Sequence, residues 1–267
     1  MTGNQTLPLP NRSDADLPGH WLLARLGKRV LRPGGLELTS RLLAAAKITD
    51  ADVVELGPGL GRTATDIVAQ RPRSYVGVDD TAAATEHVQA IVAPVDGKVV
   101  VANAADTGLP SASADVVIGE AMLTMQGDRD KRAIVAEAFR VLRPGGRYAI
   151  HELGLKPDDI SQDTKDEIRR DMSRAIKVNA RPLTTAEWSA LLAEAGFEVV
   201  KVDHAKMALL NPLRVLADEG PFGALRIVGN LIRRPAARKR VIGMRKTFHR
   251  YRHALTAVAV VGVVPGS

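Results

Sequence analysis

The run VVELGPGLGRT, residues 53–63, sets an acid, Glu55, ahead of three glycines at Gly57, Gly59 and Gly61. Glycines where a strand gives way to a helix let a flat polar ligand lie against the backbone, which any side chain would prevent. Further on, SYVGVD closes on Asp79, followed by Asp80. A carboxylate at the end of a second strand is placed to accept hydrogen bonds from ribose hydroxyls. The chemistry is that of a nucleoside-bearing cofactor. A dinucleotide site wants Gly or Ala at the sixth position of G-x-G-x-x-G, and counted from Gly57 that position is Arg62. Asp79 by itself serves a nicotinamide cofactor equally well, so a nicotinamide-dependent oxidoreductase stands as one alternative.

Those residues need a frame that presents strand ends to a ligand. DVVEL, SYVGVD, GKVVVAN, ADVVIGE, RYAIHEL and FEVVKVD read as strands, and RTATDIVAQR and DKRAIVAEAFRVL between them read as helices. Such alternation predicts an α/β fold with a mostly parallel sheet covered on both faces. Glu120 falls just past the fourth strand, at the carboxyl edge where open α/β sheets bind ligands. His151 and Glu152 close the fifth strand on opposite faces, so at most one of them faces a substrate. A hydroxyl acceptor would need a base, for which His151 is the first choice and Glu152 the second.

The heptapeptide RVLRPGG occurs twice, at residues 29–35 and 140–146. The second copy ends an apolar-periodic helix and turns the chain into RYAIHEL, whereas the first lies between an expected helix over 21–31 and another over LELTSRLLAAAK. Neither flank is duplicated, so the same breaker is used twice and no repeat architecture is expected.

In order, ELGPGLG, SYVGVDD, ADVVIGEAML and VLRPGGRYAIHEL resemble the motifs of the class I S-adenosylmethionine-dependent methyltransferases across roughly residues 52–202. Leu109-Pro110 to Asp115 and LRPGG resemble most the small-molecule enzymes of the ubiquinone and menaquinone biosynthesis type. The resemblance implies a Rossmann-like fold with a mostly parallel seven-stranded sheet and S-adenosylmethionine as cofactor. It also implies that Gly57, Gly59 and Gly61 line the methionine and ribose side, with Glu55 nearby. Asp79 would hold the ribose and Asp80 would lie beside the adenine. The family's acid after the third strand has Asn103 and Ala104 at its place here, with Asp106 just downstream. Glu120 would approach the methionine moiety. A protein of this fold that binds the cofactor without catalysis is a second alternative.

The whole chain of 267 residues reads as one domain: a flexible arm over 1–19, a helical cap over 20–47, a core over 48–206 and 254–267, and a basic helical insertion over 207–253. His20 and Trp21 head the cap and could close over substrate. The formal charge is +7, yet after Glu219 there are ten basic residues and no acid, leaving 27 basic against 30 acidic residues elsewhere. Within the insertion Val241, Met244, Phe248, Tyr251 and Leu255 recur at helical spacing between the cations. A basic amphipathic helix fits a solvated packing face, a lid whose arginines meet an anionic substrate, or a surface for peripheral contact with anionic lipid. Four Phe, three Tyr and two Trp leave few stacking platforms, which speaks against nucleic acid. The absence of cysteine excludes disulfides and thiolate metal sites, and no metal is expected. With no leader-like apolar run, a cytoplasmic monomer or homodimer acting on a small or lipid-like acceptor is expected.

Overall fold

The computed structural model describes residue 9 and residues 11–266. Helices α1 (Gly19–Arg25) and α2 (Gly35–Ala46) precede a core of alternating elements. These are β1 (Asp52–Leu56), α3 (Arg62–Val68), β2 (Ser74–Asp79), α4 (Ala82–Val92), β3 (Lys98–Val101), β4 (Ala114–Glu120), α5 (Asp128–Val141) and β5 (Leu142–Leu155). There follow α6 (Gln162–Ile176), the short β6 (Leu183–Thr184), α7 (Thr185–Glu194) and β7 (Glu198–Lys206). The insertion forms α8 (Pro212–Arg233) and α9 (Pro235–Arg250) before β8 (Leu255–Val263).

The strands run in the order β3-β2-β1-β4-β5-β8-β7, with β6 paired to the end of β5. Only β8 is antiparallel to its neighbours, β5 and β7. The expected seven strands are all present, and β6 adds a two-residue bridge. Because successive strand side chains point to opposite faces, adjacent residues feed different cores. Val54, Val117, Tyr148 and Ile150 pack with α5 and α7 on one face. Val53, Val116, Ile118 and Ala149 pack with α2, α3 and α4 on the other. A third cluster joins Leu22 and Leu26 of α1, Ile168 and Met172 of α6, and Met244 and Phe248 of α9 above the end of β5. That cluster seats the cap on the carboxyl edge of the sheet.

Two expectations change. The helix expected over 21–31 stops at Arg25: Gly27 takes φ +100°, and the backbone N–H groups of Arg29 and Val30 are spent on the carboxylate of Glu219, each at 2.9 Å. Donors engaged across the chain cannot serve a helical ladder. Residues 1–8 and 10 of the arm expected over 1–19 lie outside the described residues, but its last part is packed, with Leu17 fully buried. Its carbonyl accepts a hydrogen bond from Arg240.

The two RVLRPGG copies sit at opposite edges of the sheet. Arg143 of the second bridges Asp52 and Asp115 at 2.9 and 2.6 Å, at the amino ends of β1 and β4. Asp115, the acid of the LP-x-x-x-x-D spacing, also accepts from the backbone N–H of Asp52, so its role is to pin strand starts. Arg32 of the first copy is buried at the carboxyl edge.

Candidate active site

The carboxyl ends of β1, β2 and β4 open into a cleft of about 780 Å³, within the usual range for small-molecule sites. Its walls include Gly57, Gly59, Asp79, Asp80, Asn103 and Ala104. Asp106 and Glu120 line it as well. Its roof comes from His20 and Trp21 of α1 and from Arg29, Leu31 and Arg32 of the following loop.

Gly59 adopts φ +53°, and a Cβ built there meets nothing closer than 3.8 Å, so its bareness keeps backbone open to the cleft. Its N–H donates to Asp79 Oδ2 at 3.0 Å, while Thr81 N–H donates to Oδ1 at 2.9 Å. Asp79 is thereby held at the end of β2, and burial pushes its carboxyl up from the ordinary range. Gly61 differs. It caps α3 at φ +72°, and a Cβ there would strike Ile91, so it packs α3 against α4 and does not line the cleft. Asn103 folds back on itself: its side-chain oxygen accepts from Ala105 N–H and its carbonyl from Asp106 N–H. This local turn gives the cleft its floor.

Glu120 is the centre of a buried polar cluster. Oε1 accepts from Thr39 Oγ1 at 2.6 Å and from His151 Nδ1 at 2.8 Å. Oε2 accepts from Thr63 Oγ1 at 2.6 Å and lies 3.1 Å from Arg32 Nε. Arg32 in turn donates to Thr39 and Thr63. Desolvation raises the Glu120 carboxyl, but Arg32, His151 and Thr39 together outweigh it and hold the group down at about 2. Glu55 shows the opposite outcome. It lies behind the glycine loop, outside the cleft wall, where desolvation pushes it up to about 8 against the hydrogen bond from Tyr75 at 2.6 Å. One carboxyl is ionised and the other neutral at physiological pH, set by environment alone.

His151 and Glu152, the residues expected as candidates for a general base, do not line the cleft. Both are completely buried. His151 Nε2 accepts from Gly34 N–H at 3.1 Å, which places the ring proton on Nδ1, facing Glu120. Glu152 accepts four hydrogen bonds, from the N–H groups of Met122, Leu123 and Thr124 and from Thr124 Oγ1. It fixes the loop after β4 that brings Ala121, Met122 and Met125 to the cleft. The imidazole on the cleft wall is His20, which burial lowers to about 4 and so keeps neutral at physiological pH.

Arg32, Thr39 and Thr63 were not singled out by sequence. Arg32 is hidden in a run that reads as a helix breaker, and two threonines carry no signal until a carboxylate is placed between them.

A chamber of about 100 Å³ adjoins the cleft, sharing His20, Leu31, Ala121 and Met125 with it. Met125, Met172, Met207 and Met244 all line this chamber, along with Leu153 and Phe248. Flexible thioethers fill and reshape around apolar ligands.

This strand order, glycine turn and acid at the second strand define a Rossmann-like cofactor-binding protein. Residues 54–150 match the family model described as a methyltransferase domain. An uncharacterized protein of Haemophilus influenzae is 36% identical over 92% of this chain and 97% of its own length. A Mycolicibacterium smegmatis protein named a probable S-adenosylmethionine-dependent methyltransferase is 34% identical over 58% of this chain and 55% of its own. Among solved structures, a phosphoethanolamine N-methyltransferase of Haemonchus contortus bound to S-adenosylhomocysteine superposes with a TM-score of 0.69. It covers 96% of this chain and 59% of the other at 15% identity, a likeness of fold. Residues 54–150 are thus a methyltransferase domain of the class I S-adenosylmethionine-dependent type. Its cofactor is S-adenosylmethionine.

Proposed function

We propose that the chain methylates a small, largely apolar or lipid-like acceptor that lies in the methionine-lined chamber and meets the cofactor at the cleft. The observation that carries this reading is the shared wall: His20, Leu31, Ala121 and Met125 belong to both spaces. S-adenosylmethionine, when bound, supplies an electrophilic methyl carbon on a sulfonium. The protein's part is then to bind, align and exclude water. Asp79 holds the ribose, with Gly57 and Gly59 admitting the ligand to the backbone and Asp80, Asn103, Ala104 and Asp106 forming the adenine side. Glu120, ionised and rigid, sets a negative charge near the sulfonium side, and Arg32 keeps it from taking a proton. Glu55 and Gly61 support this wall from behind, and His151 and Glu152 are positioning residues.

The reading includes a cytoplasmic location and peripheral membrane contact through α8. After a break at Gly220 (φ +70°) and Pro221, α8 turns Phe222, Leu225, Val228 and Ile232 outward, exposed by 87%, 69%, 51% and 67%. Arg226 and Arg233 flank this stripe at helical spacing, and no acid follows in sequence. Such a face suits an anionic bilayer. A second copy fits it poorly, because a symmetric contact would set the same cations against each other.

Calorimetric titration with S-adenosylmethionine, S-adenosylhomocysteine and NADH tests the cofactor site. The sulfur ligands are expected to bind at micromolar levels and NADH not at all, with Asp79→Ala weakening binding by at least about tenfold, or ~1.4 kcal/mol. Methyl transfer from labelled donor is then read across apolar and polar acceptor panels. Turnover confined to polar acceptors would sink the apolar assignment.

A further inference from the structure

A second large concavity lies on the same edge of the sheet, beyond the methionine-lined chamber. It encloses about 790 Å³ where β5 and β7 end and β8 begins. Lys156 follows β5, Lys206 ends β7, Arg245 projects from α9, and Arg252 lies in the turn before β8. His204, His249 and His253 add to the polar rim, and among the described residues no Asp or Glu lines the pocket.

The four cations pair with no carboxylate among the described residues, and Arg252 donates only to the carbonyl of His249. Their neighbour Arg250 is different, being held by Asp171 and Glu167 at 2.9 Å each. Unpaired like charges in one concavity raise the local potential for anions, and folding gains nothing from gathering them. The floor is apolar. Met207, Phe248 and Leu255 share the lining with the cations, and Met207 and Phe248 are also walls of the methionine-lined chamber. Cofactor cleft, apolar chamber and basic pocket therefore adjoin in series, joined by shared side chains.

We propose that the basic pocket binds the anionic head of an amphiphile, a phosphate monoester or its like, whose apolar body passes Met207 and Phe248 into the chamber. Lys206 and Arg245 reach the head from opposite sides, strand and helix, and charge-assisted hydrogen bonds to an oxyanion are the strong kind. The two wall residues are a thioether and a phenyl ring, side chains that can swing without disturbing backbone. The assignment rests on the methyl-transfer reading only in naming this amphiphile as the acceptor; the binding site stands by its own residues.

The test is calorimetric titration of the full chain with n-octyl phosphate, n-octanol and inorganic phosphate, and separately with S-adenosylhomocysteine. Octyl phosphate is expected to bind roughly tenfold or more tightly than either fragment. Lys206→Ala/Arg245→Ala should weaken it by roughly tenfold while leaving S-adenosylhomocysteine unchanged, since both side chains are exposed and distant from the cleft. Met207→Trp, which thickens the wall, should weaken octyl phosphate and spare inorganic phosphate. Undiminished octyl phosphate binding in the double variant overturns the site. Octanol binding as tightly as octyl phosphate removes the anion, and inorganic phosphate doing so removes the apolar body; either result overturns the amphiphile. Loss of S-adenosylhomocysteine binding in the wild type would sink the methyl-transfer reading instead, whatever octyl phosphate does.

Discussion

Glu55 and Glu120 lie on adjacent strands and shift in opposite directions, because desolvation prevails over the Tyr75 hydrogen bond at Glu55, whereas Arg32, His151 and Thr39 prevail over desolvation at Glu120. Glu55 is raised from 4.5 to about 8, chiefly by desolvation. Its folded form therefore holds a proton that the unfolded chain releases, so its contribution to stability is complete below pH 4.5 and is lost as pH rises toward 8. Glu55→Gln keeps a partner for the Tyr75 hydroxyl and cannot ionise. Its melting temperature is expected to fall less between pH 5 and 8 than that of the wild type, by an amount worth roughly 3 kcal/mol. An identical pH profile in the two proteins would show that Glu55 is already ionised. Arg32 supplies the opposite case. Arg32→Gln strips the charge that holds Glu120 ionised and leaves a buried carboxylate without its partner, a loss of about 3–5 kcal/mol by analogy with broken buried pairs. Thermal unfolding measures that loss, and Arg32→Lys should restore only part of it, since one ammonium cannot reach Glu120, Thr39 and Thr63 together. At this scale the sequence was legible where a residue's place follows from a strand end, as with Asp79 and Glu120. It was silent on Arg32, whose meaning comes from a carboxylate 88 positions away in sequence, and it overrated His151, whose burial behind Glu120 no local pattern reveals.

Strands and helices followed from period, and the exceptions have causes. β1, β2 and β4 lie where the β-branched runs place them, because neighbours in each run feed two different cores. The apolar spacing of Met244, Phe248 and Tyr251 identified α9, whose inner face Met244 and Phe248 form with Tyr251 just beyond its end. The outward stripe of α8 was missed for a physical reason: Gly220, Pro221, Gly223 and Gly229 lower helix propensity across it. A stripe facing solvent also has no core to declare it. If that stripe enters a bilayer, charge placed on it must cost binding and nothing else. Phe222→Glu/Leu225→Glu is expected to reduce co-sedimentation with phosphatidylglycerol vesicles by at least about tenfold, because two large apolar side chains contribute about 1.5–3 kcal/mol each on burial. The melting temperature and S-adenosylhomocysteine affinity should not change, as neither side chain packs on the domain. Equal vesicle binding by the variant would remove α8 from membrane contact and leave its apolar face unexplained.

Across the whole molecule, the insertion grips the amino-terminal loop that lines the cleft. Glu219 is the hinge of this arrangement: buried, it accepts from the backbone of Arg29 and Val30 and faces Lys28 Nζ at 3.5 Å. Asp218 accepts from Leu36 N–H, and Arg226 and Asn230 of α8 donate to the carbonyls of Gly27 and Leu26. The segment so gripped, residues 26–36, carries Arg29, Leu31 and Arg32 to the cleft. Burial lowers the Lys28 ammonium, and Glu219 and Asp218 resist that shift, so the lysine depends on its acid. Glu219→Gln would leave Lys28 with a buried charge or force it to give up its proton. Stability should drop by about 3 kcal/mol, with hydrogen exchange rising first over residues 26–36 and not in the sheet. The affinity for S-adenosylmethionine should fall with it, because the roof of its cleft is then held by fewer bonds. Lys28→Met/Glu219→Gln separates charge from packing: with no ion left to strand, most of the stability should return. If the double variant remains as unstable as Glu219→Gln alone, the two backbone bonds to Glu219, and not the ion pair, are what keep insertion and loop together.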